Sequence, residues 1–167
     1  MKKKGLITML LVCLIALVGI GYAAISKELI INGTANATVD NENFSVVFDD
    51  DAEVVQKNCV AADTKVNDDA TATITVDGTK LTKTGDTATA TFTIKNTSAE
   101  LGASLSAVIS GNVTTDEYFT VTHSFAQTSI AKGASTTITV TIKLDKTPIE
   151  NVTGTFKVTI TATATVA

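Results

Sequence analysis

Tryptophan and arginine do not occur in this 167-residue chain, and proline and histidine occur once each. With His123 as the only imidazole, a nucleophilic triad has one possible base. That residue lies in phase with Phe119, Val121 and Phe125, as a core or rim histidine would. Zinc centres take three or four His, Cys or carboxylate ligands, and no helical H-E-x-x-H pattern is present, so neither catalysis nor a resident cofactor is expected. All thirteen basic residues are lysine, the net charge is −4 and the pI is near 4.9. No basic field exists to gather phosphates or coat an anionic membrane, which argues against nucleic acid as a partner. The glycines are scattered at turn positions and form no phosphate-binding loop.

Cysteine is limited to Cys13 and Cys59. Cys13 belongs to the most specific signal in the chain, an N-terminal export leader. Lys2, Lys3 and Lys4 form a positive n-region, Leu6 to Ile20 an apolar run, and Gly21-Tyr22-Ala23 puts small residues at the −3 and −1 positions. Cleavage is expected between Ala23 and Ala24, giving a signal peptide over 1–23 and a mature domain over 24–167. The rival reading is a retained anchor, because Gly5 to Ile25 is about long enough to span a bilayer. An uncleaved leader would then be the only contact with the membrane. After cleavage Cys59 is alone, so it is either a small buried hydrophobe or one half of a disulfide between subunits.

What is abundant is threonine, at roughly three times its usual share, which pulls the local preference toward strand. From Ile25 the odd positions Leu29, Ile31, Ala35, Ala37 and Val39 are apolar and the even ones mostly polar, the period of a strand with one buried face. Gly33 interrupts it and suggests a bulge or a close backbone approach. Phe44, Val46 and Phe48 continue the alternation, which ends in Asp49, Asp50 and Asp51. Such adjacent carboxylates offer hard oxygen ligands of the kind Ca²⁺ uses, and equally make a solvated turn.

Residues 52–69 fit a short helix as well as a strand. Beyond them alternation is regular, through Ala70 to Val76, Ala88 to Ile94, Ala103 to Ile109, Ile138 to Leu144 and Phe156 to Val166. Asp77-Gly78 is expected to make a tight hairpin turn with φ > 0 from which Lys80 to Lys83 returns. Gly85-Asp86, Gly111-Asn112 and Lys132-Gly133 read as further turns. Eight or nine strands with short turns predict an all-β fold, a single β-sandwich of jelly-roll or immunoglobulin-like topology.

The first mature strand would be freed by leader removal. It can close its own sheet or add to a neighbour's edge, and a head-to-tail contact of the second kind generates filaments. Gly21-Tyr22-Ala23, then Leu29-Ile30-Ile31-Asn32-Gly33-Thr34-Ala35-Asn36-Ala37 and Asn43-Phe44-Ser45-Val46, resembles the start of the TasA and camelysin family of secreted Firmicute proteins. Gly154-Thr155-Phe156-Lys157-Val158-Thr159-Ile160-Thr161-Ala162 is similar to that family's last strand. The leader resembles those cut by the family's dedicated signal peptidase, SipW.

The resemblance implies a secreted jelly-roll subunit of extracellular-matrix or cell-surface fibres. Its partners would be further copies of itself and other matrix components. Its donor strand would run over 24–39 with Ile25, Leu29 and Ile31 inserted. Some family members are described as metalloproteases; this chain has no recognisable zinc ligand set, so that activity is not carried over. The remaining alternative is a monomeric, adhesin-like binding module.

Overall fold

The computed structural model describes residues 26–31, 44–114 and 117–166. The leader, the cleavage pair Ala23 and Ala24, Ile25, and the stretch 32–43 with its Gly33 lie outside the described residues.

The described chain is all-β, in two sheets. Its strands are β1 (Ser26–Ile31), β2 (Val46–Phe48), β3 (Val55–Lys57), β4 (Lys65–Asp68), β5 (Thr71–Thr73), β6 (Thr87–Asn96), β7 (Leu101–Ser110), β8 (Phe119–Phe125), β9 (Ser129–Ile130), β10 (Ser135–Leu144) and β11 (Lys157–Val166). One sheet has the order β4-β5-β1-β11-β7-β9. The other runs β2-β6-β10-β8, with β3 also paired to β6.

The long strands follow the sequence period directly. Along β6, Ala88, Ala90, Phe92 and Ile94 are fully buried, with threonines between them turned outward. β10 buries Ile138, Val140, Ile142 and Leu144, and β11 buries Val158, Ile160, Ala162 and Ala164. These inner faces belong to one hydrophobic core shared by both sheets. Phe48 and Phe92 meet edge to face there, with ring centroids 6.1 Å apart. Burying each such ring contributes about 1.5–3 kcal/mol relative to leaving it in water.

From β6 to β11 every connection carries the chain from one sheet to the other. Consecutive strands from β6 on therefore lie in different sheets and do not pair as hairpins. Asn96 sits at the first crossing, fully buried, its amide donating to Leu101 O (2.9 Å) and Ala131 O (3.2 Å). Gly111 makes another crossing with φ 120°, where a Cβ would lie 2.5 Å from the carbonyl oxygen of Thr155.

The hairpin expected at Asp77-Gly78 does not form. The Asp77 carboxylate accepts from Thr79 N (3.0 Å) and caps a 3-10 turn over Gly78–Lys80, and residues 81–86 form a loop with Leu81 buried. An aspartate before glycine can cap a turn as readily as open a hairpin, and here no returning strand competes. Positive φ falls instead at Gly85, Gly111 and Gly133, and at Asn58. The ambiguous stretch 52–69 forms β3 and β4, with Cys59 bridged to Val76 between them.

Candidate functional site

β1 occupies an unusual place. It lies inside its sheet, antiparallel to β11 from Ser26↔Thr163 to Ile31↔Val158, and parallel to β5 at Ile30↔Thr71 and Ile31↔Ala72. The pairing with β5 is the only parallel one among the described strands. Parallel neighbours cannot be joined by a tight turn. No short connection links β1 to β11 either, since the two stand at opposite ends of the described chain. β5 is held on its other side by β4, and β11 by β7. The walls of the β1 slot are thus built from strands that pair without β1.

Two of the three residues expected to insert fall within β1. Leu29 is registered against Ile160 and Ile31 against Val158 and Ala72, all three of which are completely buried. Lys27 is registered against Ala162, where the apolar period of the odd positions breaks.

The slot runs on into a cavity of about 750 Å³. Ile74 and Val76 line one side, directly after β5. Gly154 and Phe156 line the other, directly before β11, and Val113 and Phe119 close the back. Gly154 is pressed against that back wall: a Cβ there would lie 2.8 Å from Val113 Cγ1 and 2.9 Å from Phe119 Cδ2. Thr155 N donates to Asn112 Oδ1 (2.6 Å) and Thr155 O accepts from Val113 N (3.3 Å). Sequence reasoning did not find this cavity. Its walls come from 74–81 and 113–156, segments far apart in the chain that only the tertiary structure brings together.

The other singled-out residues lie elsewhere. Asp49, Asp50 and Asp51 form the turn after β2, with one carboxylate oxygen from each within 4.8 Å of the others. No fourth carboxylate, histidine or thiol joins that group among the described residues. Ca²⁺ takes six to eight oxygens, so water would have to supply the remainder. Cys59 is half-buried against the core, its thiol 3.4 Å from Lys57 O and 3.5 Å from Thr89 O. Burial pushes the Cys59 thiol pKa up, against the lowering by those contacts and by Thr64, which keeps it a poor nucleophile. His123 is half-buried on β8, edge to face with Phe125 at 5.8 Å, its Nδ1 buried without a hydrogen-bond partner among the described residues.

No protein-family model, curated protein or solved structure matches the chain.

Proposed function

We propose that this chain is an exported structural subunit: a single β-sandwich of jelly-roll or immunoglobulin-like topology, released by cleavage after Ala23. It assembles into extracellular-matrix or surface fibres by donating its first strand, 24–39, to the next copy. The resemblance of both ends of the domain to the TasA and camelysin family points the same way.

The observation that carries this reading is the position of β1. It lies between β11 and β5, paired on both edges, yet no tight turn ties it to either. A strand held in this way can be exchanged for its equivalent from another copy with every pairing reproduced. The stretch 32–45 between β1 and β2 covers up to about 50 Å at full extension, which is ample for reaching a neighbour. A head-to-tail contact of this kind leaves one free strand and one open slot at the two ends, so growth continues.

Filaments are the expected outcome when purified processed protein is incubated and viewed by negative-stain microscopy. A free peptide spanning Ala24–Val39, added in excess, should occupy slots and shorten them. Deletion of Ala24–Ile31 should abolish elongation, and the same peptide should restore the thermal stability of the deleted protein. Intact processed protein that stays monomeric, with no response to peptide, would leave the adhesin-like monomer as the better reading.

A further inference from the structure

We propose that β8 is an interaction edge whose occupant is β8 of a second copy, the two strands running antiparallel about a two-fold axis at Thr122. This goes beyond the fibre reading and does not depend on it. No strand is donated, and the contact lies on the sheet that does not contain β1.

A sheet edge carries a row of unpaired N–H and C=O groups, and proteins blunt such edges with short strands, charges, proline or bulges. Among the described strands, three of the four sheet edges are blunted in this way. β9 has two residues. β4 has four, Lys65 and Asp68 among them, and its register shifts between Val66 and Asp68. β2 and β3 share one edge of β6 with three residues each, and the turn holding Asp49, Asp50 and Asp51 comes between them. β8 is different. It has seven residues, none of them lysine, acidic or proline, and its register on β10 is unbroken. No described strand pairs with its other side.

The backbone decides which groups that side offers. Tyr118 O accepts from Asp145 N and Ala126 N donates to Thr137 O, both on the β10 side. Direction alternates along a strand, so Thr120, Thr122 and Ser124 turn their backbone groups to β10. Phe119, Val121, His123 and Phe125 turn theirs outward. These four are in register with the buried Leu144, Ile142, Val140 and Ile138, and at the end of the sheet each is only half-buried.

The edge's own sequence selects a second copy. From Phe119 to Phe125 the pattern is the same in reverse, with a phenyl ring at each end and hydroxyls at 120, 122 and 124. Under the two-fold rotation Phe119 meets Phe125, Val121 meets His123, and Thr122 meets itself. The outward-turned residues then form hydrogen-bonded pairs, with about eight bonds over the contact. On the outer face Thr120 meets Ser124 and Thr122 meets Thr122. That repeats the rung in which the Thr91 and Thr139 hydroxyls stand 2.8 Å apart between β6 and β10. On the inner face the half-buried rings of one copy cover those of the other. No charge lies along the strand to oppose a like edge.

Register-specific cross-linking tests this. Thr122 faces its own copy in a non-hydrogen-bonded pair, where Cα atoms stand about 4.5 Å apart, within reach of a disulfide. Ser124 faces Thr120, so two Ser124 residues are about 13 Å apart at strand rise. Thr122→Cys and Ser124→Cys are made separately in a Cys13→Ser, Cys59→Ser background and treated with diamide. Both sites are exposed, so both variants should melt with the parent. The expected result on a denaturing gel is a covalent dimer from Thr122→Cys and monomer from Ser124→Cys, whether or not filaments form. Dimer from neither, or from both equally, would overturn the pairing and leave strand donation untouched. Charge supplies a second reading. Adding Thr120→Lys and Ser124→Lys to the Thr122→Cys protein sets ammonium groups opposite each other and should slow cross-linking about tenfold. Thr120→Lys with Ser124→Glu should restore the rate, because each lysine then meets a carboxylate. An unchanged rate in the double-lysine variant would place the contact elsewhere and overturn the inference as well.

Discussion

Asn96 illustrates how one buried polar side chain can direct the path of the chain. It is the last residue of β6, and its amide ties together the start of β7 and the β9–β10 turn while its Oδ1 accepts from Ser98 N (3.0 Å). A buried amide with these partners satisfied costs little; truncating it removes both donated bonds and leaves the buried Ser98 N–H without its acceptor, while Ala131 O still accepts from Ala134 N. Asn96→Ala should therefore destabilise the fold by about 2–4 kcal/mol, read as a lowered urea midpoint at unchanged slope. A loss below about 0.5 kcal/mol would mean that water replaces the amide. That the apolar alternation stops after Ile94 was legible in the sequence. Its role as a bridge was not, because its partners lie as far along the chain as Ala131.

At the scale of elements, β10 is the strand on which the second sheet depends. It pairs with β6 from Ser135 to Lys143 and with β8 from Ile138 to Leu144. Its outward Thr139 hydroxyl lies 2.8 Å from that of Thr91. Thr139→Val keeps the branched shape and removes one part-buried hydrogen bond, so a loss of about 1 kcal/mol is expected. Thr139→Pro deletes a backbone donor in a strand paired on both edges and should cost on the order of 3 kcal/mol. Thermal melts of the two variants distinguish them, and equal melting temperatures would contradict a central position for β10. Strands such as β6, β10 and β11 could be read from sequence because ten residues of alternation are a strong signal. β3 and β9 have three and two residues, too few for a period, and pair with the longer β6 and β7; of the alternating stretch Ala70 to Val76, Thr71–Thr73 forms β5.

Across the whole molecule, turn carboxylates set the response to acid. The Asp86 carboxyl is held below its ordinary pKa by the backbone N–H groups of Lys83 and Thr82. Asp77 is lowered by the hydroxyl and N–H of Thr79, and Asp145 by the Lys143 ammonium and then the Thr120 hydroxyl. As pH falls toward about 3.9 the unfolded chain takes up protons first, while these folded-state carboxylates still resist. Their contribution is complete above about pH 5 and is lost as pH drops through the lowered folded values. Urea midpoints should stay level from pH 7 to 5 and decline by pH 3, with a shallower decline in an Asp77→Asn, Asp86→Asn, Asp145→Asn variant. An identical decline in that variant would assign the acid sensitivity to other groups.

The period of two in the sequence determined by itself that the protein is made of strands and which residues along the long ones face inward. Side-chain alternation is a local property of an extended backbone. The turn glycines at 85, 111 and 133 were local too, because positive φ is a demand on one residue. Only the tertiary structure decided that consecutive strands alternate between sheets, that β1 lies between β11 and β5, and that the β1 slot opens into a cavity. Those features depend on pairings between residues far apart in the chain, such as Ile31 with Ala72 and with Val158. Many partners in so uniform a threonine-rich chain offer the same alternating face, and burial of the two sheets against one core selects among them.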